Sequence, residues 1–444
     1  MDVISGEEFQ TRIYADNAET ISDFIVEINS PLNIDLEKVN LFITFSNLKF
    51  IGKQIQFYKY KKECLHRFRF EECLFESNIS IESDFEDITF ISNTFNCDKF
   101  TIENKEISIL TFDKKNEFGQ IEISENINTF KKGIFKIYNC EISNLNIDTF
   151  RSQNNSRIEI EASKFKDLFV IQNSFIDEIE IVECQFEKDF EYSCDYNKTT
   201  FSNCDFFKST IFKNPISLKS SKLSFEKCNF HKPTDFNEFK IHKLTLKLTT
   251  FLDTSSFQDT IFDIIEIDRT TFLKASWFDN IKIKDINNCD RRTIRTIKQE
   301  LQKTDNRIDY NRFRNYELSI HYKELKFCTN PIDKSILWAT KWSSRFGNWF
   351  WAFCFTLIIA LTFFSLFYIL ENTDKTVNLH NWSDFIFGYF RFFLITDFKN
   401  EYYNSGESVL KFNCFTSLFP FIIGKIAVAF GIYEMIQSFR KFKA

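Results

Sequence analysis

Phe70, Phe75, Phe85, Phe90, Phe95 and Phe100 fall at multiples of five, a spacing that fits neither a helix nor a plain alternating strand. A longer period lies over it. The pattern apolar-x-x-small-x-Phe ends at Phe75, Phe95, Phe165, Phe186, Phe206, Phe230, Phe251 and Phe272, with Ile142 in a variant form. Neighbouring members stand 20 to 24 residues apart. This predicts a coil of about four five-residue sides, with successive coils stacked at about 4.8 Å. One Phe per coil points inward onto the next. Two positions earlier, Cys73, Ser163, Cys184, Cys204, Cys228, Thr249 and Thr270 form a ladder of small side chains that larger ones would split. The off-pattern stretches 116–128 and 189–199 predict corners that bulge or loop out.

Either side of this repeat the pattern changes. Residues 1–69 alternate apolar and polar over Phe24–Ile28 and Gln54–Tyr60, which predicts a β-rich cap over the first coil of a repeat domain at 70–285. An uncapped solenoid exposes a sheet edge. From Cys289 the period turns helical. Ile294, Ile297 and Leu301 share one face, Lys303–Asn306 is a turn, and Ile308, Tyr316, Ile320 and Leu325 mark a second helix. A basic helical hairpin is therefore expected over 286–330, ending at Pro331.

The remainder, 331–444, reads as a membrane domain. Phe346–Leu370 is uncharged over 25 residues, long enough as a helix to cross the roughly 30 Å hydrocarbon layer. A second span covers about 412–436, bent near Pro420 and holding Lys425. Between them, 382–396 is too short to cross and suits a re-entrant helix. Lys341 and Arg345 precede the first span, and Arg440, Lys441 and Lys443 follow the second, so both termini are expected in the cytoplasm.

Composition and short motifs add to this picture. Phe is abnormally frequent, 58 of 444 residues. The net charge of −6 divides unevenly: residues 1–285 hold 35 Lys plus Arg against 48 Asp plus Glu, giving −13, and the rest hold 21 against 14, giving +7. The acidic part is expected in water and the basic part against anionic lipid. The opening MDVISGEEFQ has no basic segment followed by an apolar core, so no secretory signal is expected there. The twelve cysteines form no CxxC pair and the five histidines are scattered. Reduced, buried thiols are expected, with no metal and no cofactor. No GxGxxG, P-loop or HExxH occurs, and an enzyme is not expected.

The units Ser83-Asp84-Phe85, Cys204-Asp205-Phe206 and Cys228-Asn229-Phe230 resemble those of the pentapeptide-repeat family over about 200 residues. That resemblance implies a right-handed quadrilateral β-helix. In the membrane domain, a span, the aromatic segment from Trp382-Ser383-Asp384-Phe385, Thr396-Asp397, and a span with Gly424, Ala427, Ala429 and Gly431 together look like the two-helix pore module of potassium channels. Proteins joining the two form a recognisable bacterial group. The filter position departs from the family: Leu394–Tyr403 reads LITDFKNEYY, without a glycine, so potassium selectivity does not carry over.

Candidate pore or gating residues are Asp384, Arg391, Thr396, Asp397, Lys425 and Glu434, since charges at membrane depth face protein or water. Lys425 has three readings: a pore-lining ring favouring anions, an intersubunit pair with Glu434 or Asp397, or snorkelling to an interface. Lys425 and Glu434, nine residues apart, lie on opposite helix faces and cannot pair within one helix. Gly424, Ala427 and Gly431 share a face that permits close helix approach and argues for a homo-oligomer; a tetramer follows from the channel resemblance only. Arg291, Arg292 and Arg295 either contact lipid phosphates or form an ordinary solvated face.

The leading expectation is a bacterial inner-membrane, multi-pass, channel-like or pore-forming protein regulated by its cytoplasmic β-helix, with a protein or small-molecule trigger and a stress or anti-phage role. The alternative is a membrane-anchored scaffold whose solenoid binds a protein. Nucleic-acid mimicry by the acidic rod is disfavoured by membrane tethering.

Overall fold

The computed structural model describes the chain except residues 16–18, 40, 59–65, 83–84, 97–99, 103–106, 114–116, 124–133, 149–156, 214–220, 372–381, 397–414 and 441–444. It divides into two units, Met1–Asp305 and Asn306–Ala444. The first is a parallel β-solenoid closed by helices; the second is helical and holds two candidate membrane spans.

The side length of the coil can be read from the inward residues. Phe230, Phe236, Ile241, Leu246 and Phe251 are all buried, and Phe251, Phe257, Phe262, Ile267 and Phe272 repeat their order. Three sides take five residues and one takes six, which closes a 21-residue, four-sided turn in which Phe230 pairs with Phe251 and Phe251 with Phe272. The expected ring stack is present: the Phe165, Phe186, Phe206, Phe230, Phe251 and Phe272 rings lie 4.6 to 5.1 Å apart, tilted by only 5° to 10°. Strands hydrogen-bonded at about 4.8 Å impose that spacing on any column of identical side chains, and dispersion between buried faces stabilises it.

The ladder of small residues does more than leave room. Glu183, Asn203, Lys227 and Leu248, each just before a ladder residue, adopt left-handed backbone with φ of 53° to 56°. Each then donates its N–H to the next coil, as from Glu183 to Ser202 O at 2.8 Å and from Leu248 to Asp268 O at 2.9 Å. The ladder side chain satisfies carbonyls exposed by that corner. Thr249 Oγ1 donates to Lys247 O and Phe225 O, both at 3.2 Å, and Cys184 Sγ donates to Val182 O at 3.3 Å. Small residues with a polar hydrogen are therefore favoured over Ala. Burial pushes the Cys73 thiol up to about 12 and the Cys184 and Cys228 thiols well above their ordinary value, so these sulfurs are held as neutral donors.

The described part of residues 1–69, expected as a β-rich cap, forms strands in register with the repeat: Ile4 pairs with Val26, Val26 with Phe50, and Phe50 with Phe75. Aliphatic residues replace Phe in that column, and Leu48 takes the small-ladder position while buried, so the motif is invisible there. Large residues at that position thus do not always split the stack. The cap proper is helix α1, Gly6–Ile13, which starts at Ser5, whose side chain accepts from Glu8 N. It buries Phe9 and Ile13 and sets the Phe9 ring 5.3 Å from that of Phe50. At the other end, α2, Arg291–Lys303, buries Thr293, Ile294, Ile297 and Leu301, and Thr293 Oγ1 accepts from Ile267 N at 2.8 Å.

The off-pattern region before Thr199 is a 13-residue strand, Phe190–Ser202, paired with Phe169–Val182 through a register shift between Gln172 and Phe175. Tyr192 and Thr199 bond each other inside at 2.7 Å. In the other off-pattern stretch, Glu117–Ile123 is a strand, and residues 116 and 124–128 lie outside the described residues. On the outside, ion pairs cross from coil to coil. Asp263 sits 2.8 Å from both His242 and Lys284, which hold its carboxyl below the usual range, Lys284 first. Lys274, Lys166 and Lys198 do the same for Asp253, Glu141 and Glu178.

Candidate functional site in the helical unit

Among the described residues, five helices build the second unit: α3 (Arg307–Glu324), α4 (Pro331–Ser344), α5 (Trp349–Glu371), α6 (Trp382–Phe392) and α7 (Phe415–Arg440). Trp349–Leu370 and Phe415–Phe439 are long and apolar enough to cross a membrane, yet only 22% and 39% of their most apolar windows are buried. A core helix would be covered; these leave Ile358, Leu366, Ile369, Phe419, Ile422 and Ile426 open, a surface suited to lipid.

α5 and α7 pack closely because glycines face α5. A Cβ on Gly431 would fall 2.3 Å from Thr356 Oγ1, and one on Gly424 would fall 2.5 Å from Phe363 Cβ. A Cβ on Gly388, in α6, would likewise run into the Phe364 ring. Around these contacts Ala360, Phe364, Phe367, Phe392, Phe421 and Val428 form a buried cluster. The small-residue face is thus used inside one chain, with Ala427 half-buried beside it.

Lys425 is 4% exposed. Its ammonium donates to Phe392 O at 3.0 Å and Leu394 O at 2.6 Å, and lies 5.0 and 5.5 Å from the Phe392 and Phe421 ring centres. These carbonyls are at the carboxyl end of α6, where a helix leaves acceptors unpaired and its dipole is negative. A single cation therefore fastens the short helix to α7. None of the three readings of Lys425 from sequence anticipated this, because the partners are main-chain atoms more than thirty residues away.

Glu434 is also buried, at 8% exposure. Its carboxylate accepts from Ser344 Oγ at 2.8 Å, with Thr340 Oγ1 at 3.5 Å. It lines a cavity of about 320 Å³ together with Asn311, Arg314, Asn315, Gln437 and the Phe346–Gly347 turn. Of the remaining candidates, Asp384 and half-buried Arg391 lie in α6, Thr396 is exposed just beyond it, and Asp397 lies outside the described residues. In the first unit, Arg292 and Arg295 are exposed on α2, and Arg292 stands 3.7 Å from Asp268. Sequence reasoning missed Ser344, Arg314 and the two asparagines; nothing in their spacing links them to a residue a hundred positions away. Comparison with family models, curated proteins and solved structures finds no match to this chain.

Proposed function

We propose that the chain is a membrane-anchored β-helix protein whose pair of spans, α5 and α7, assembles with copies of itself into an ion-conducting or membrane-permeabilising unit of the bacterial inner membrane. The solenoid acts as its cytoplasmic receptor for a protein or small molecule. The observation that carries this reading is α6. A tether needs only spans, whereas here a helix of 11 residues, too short to cross, is fixed between them by a buried charge. The negative end of α6 would attract a cation, but it already holds one in Lys425. Potassium selectivity is therefore no part of the proposal. Opening would depolarise the cell, which suits a stress or anti-phage effector. The Arg291, Arg292 and Arg295 face would add attraction to anionic lipid.

Full-length protein reconstituted into dye-loaded liposomes tests this: release or ion flux above that of empty vesicles is expected, and flux equal to theirs removes the conduction reading. The scaffold reading would then stand. It is supported by an outward column on the solenoid, Phe207, His231, Leu252 and Leu273, in which Phe207 and His231 stack at 4.7 Å and Leu273 is 62% exposed.

A further inference from the structure

The Glu434 cavity has a chemistry of its own, independent of whether the hairpin conducts. An ionised carboxylate offers about four acceptor sites. Glu434 receives one short bond, from Ser344, while Thr340 at 3.5 Å is too distant to count for much. A buried carboxylate with room beside it favours a donor that brings positive charge. The same cavity is lined by Arg314, Asn311 and Asn315, residue types whose guanidinium and amide groups match phosphate oxygens.

Its level in the unit fits this pairing. Gly347 lies just before α5, and Gln437 and Ser438 lie in the last turns of α7, so the cavity opens where both spans leave the hydrocarbon and head groups begin. One wall is a constrained turn in which Arg345, Phe346 and Gly347 have φ of 48°, 63° and 112°, pinned by Gly347 N bonding Ser344 O at 2.9 Å. Consecutive left-handed residues of this kind gather at ligand clamps.

We propose that the cavity binds a zwitterionic head group with a primary ammonium and a phosphate, the chemistry of phosphatidylethanolamine. The ammonium donates to Glu434 and the phosphate accepts from Arg314 and its neighbouring amides. A quaternary choline ammonium has no hydrogen to donate, so phosphatidylcholine fits poorly. Phosphatidylglycerol lacks the cation altogether. The proposal rests on the membrane reading of α5 and α7, which is checked separately by recovery of the protein in the alkali-washed membrane fraction.

The test is thermal unfolding of the full-length protein in detergent, titrated with short-chain phosphatidylethanolamine, phosphatidylcholine, phosphatidylglycerol and soluble glycerophosphoethanolamine. Phosphatidylethanolamine should raise the midpoint more than the other two lipids, and Glu434→Gln should weaken its apparent affinity by about tenfold, the worth of one charged hydrogen bond. Arg314→Ala, at an exposed position, should do the same without disturbing the Ser344 contact. A matching rise with glycerophosphoethanolamine identifies a free head group as a sufficient ligand; a rise with the lipid alone identifies the bilayer as the source. Equal rises with all three lipids, or wild-type titrations from both variants, overturn the proposal.

Discussion

Replacing Lys425 by Met removes the ammonium and keeps most of the side-chain length, so the change reports on the cation that fastens α6. Two bonds are lost, at 3.0 and 2.6 Å to Phe392 O and Leu394 O. Hydrogen bonds to a charged donor are worth about 1.5–3 kcal/mol each, and a cation–π contact adds about 1 kcal/mol. Against this stands the cost of burying an ammonium, several kcal/mol, which the methionine avoids. The difference leaves α6 less firmly held by about 1–3 kcal/mol, or 5- to 150-fold in the equilibrium between docked and released helix. Hydrogen exchange on the full-length protein in detergent measures this directly. Peptides covering 382–396 should exchange faster by that factor, while those covering 222–283 serve as an internal control and should not change. Unchanged protection over α6, or equal loss in both regions, would refute the assignment.

Phe230→Ala, in the middle of the ring stack and fully buried, should destabilise the solenoid by about 3–5 kcal/mol, read by denaturant unfolding; a loss below 1 kcal/mol would mean the column collapses to fill the gap. Leu248 occupies left-handed backbone with φ 53°, so Leu248→Asn should stabilise by up to about 1 kcal/mol, since Asn tolerates that region and the residue is partly exposed. Asp253, Asp263, Glu141 and Glu178 have carboxyls held below their ordinary values. Their contribution is present above the unfolded carboxylate range and is lost as pH falls through the lower folded values, so the unfolding midpoint should drop below about pH 4. Asp263→Asn should flatten part of that slope.

The solenoid was legible because its repeat acts through identical contacts. A Phe at Phe186 meets a Phe at Phe206 by the geometry of the coil alone, so the sequence states the packing outright. The same logic explains why the repeat motif is not legible before Phe70. Val26 and Leu48 fill inward positions with ordinary aliphatic residues, and the pairing Val26 to Phe50 leaves no mark in the residue pattern. The two long apolar helices α5 and α7 were equally plain, since uncharged runs long enough to cross a bilayer stand out in the residue pattern. What the helices do with their polar residues was not. Gly424 and Gly431 announce that something approaches closely, and only the fold reveals it to be α5. Lys425 announces a cost without naming the carbonyls that offset it. Contacts between unlike elements, distant in the chain, have no periodic signature.

The three fives and a six of the closing coils give the rod a natural unit of inheritance. Duplication or loss of one 21-residue block, such as the one between Phe230 and Phe251, would keep each inward column continuous and each corner in place, changing reach by one strand spacing, about 4.8 Å. Loss of a single residue would instead rotate each following side chain relative to its neighbours. Related chains should therefore differ in length by whole turns, with the end helices and the helical unit unaltered.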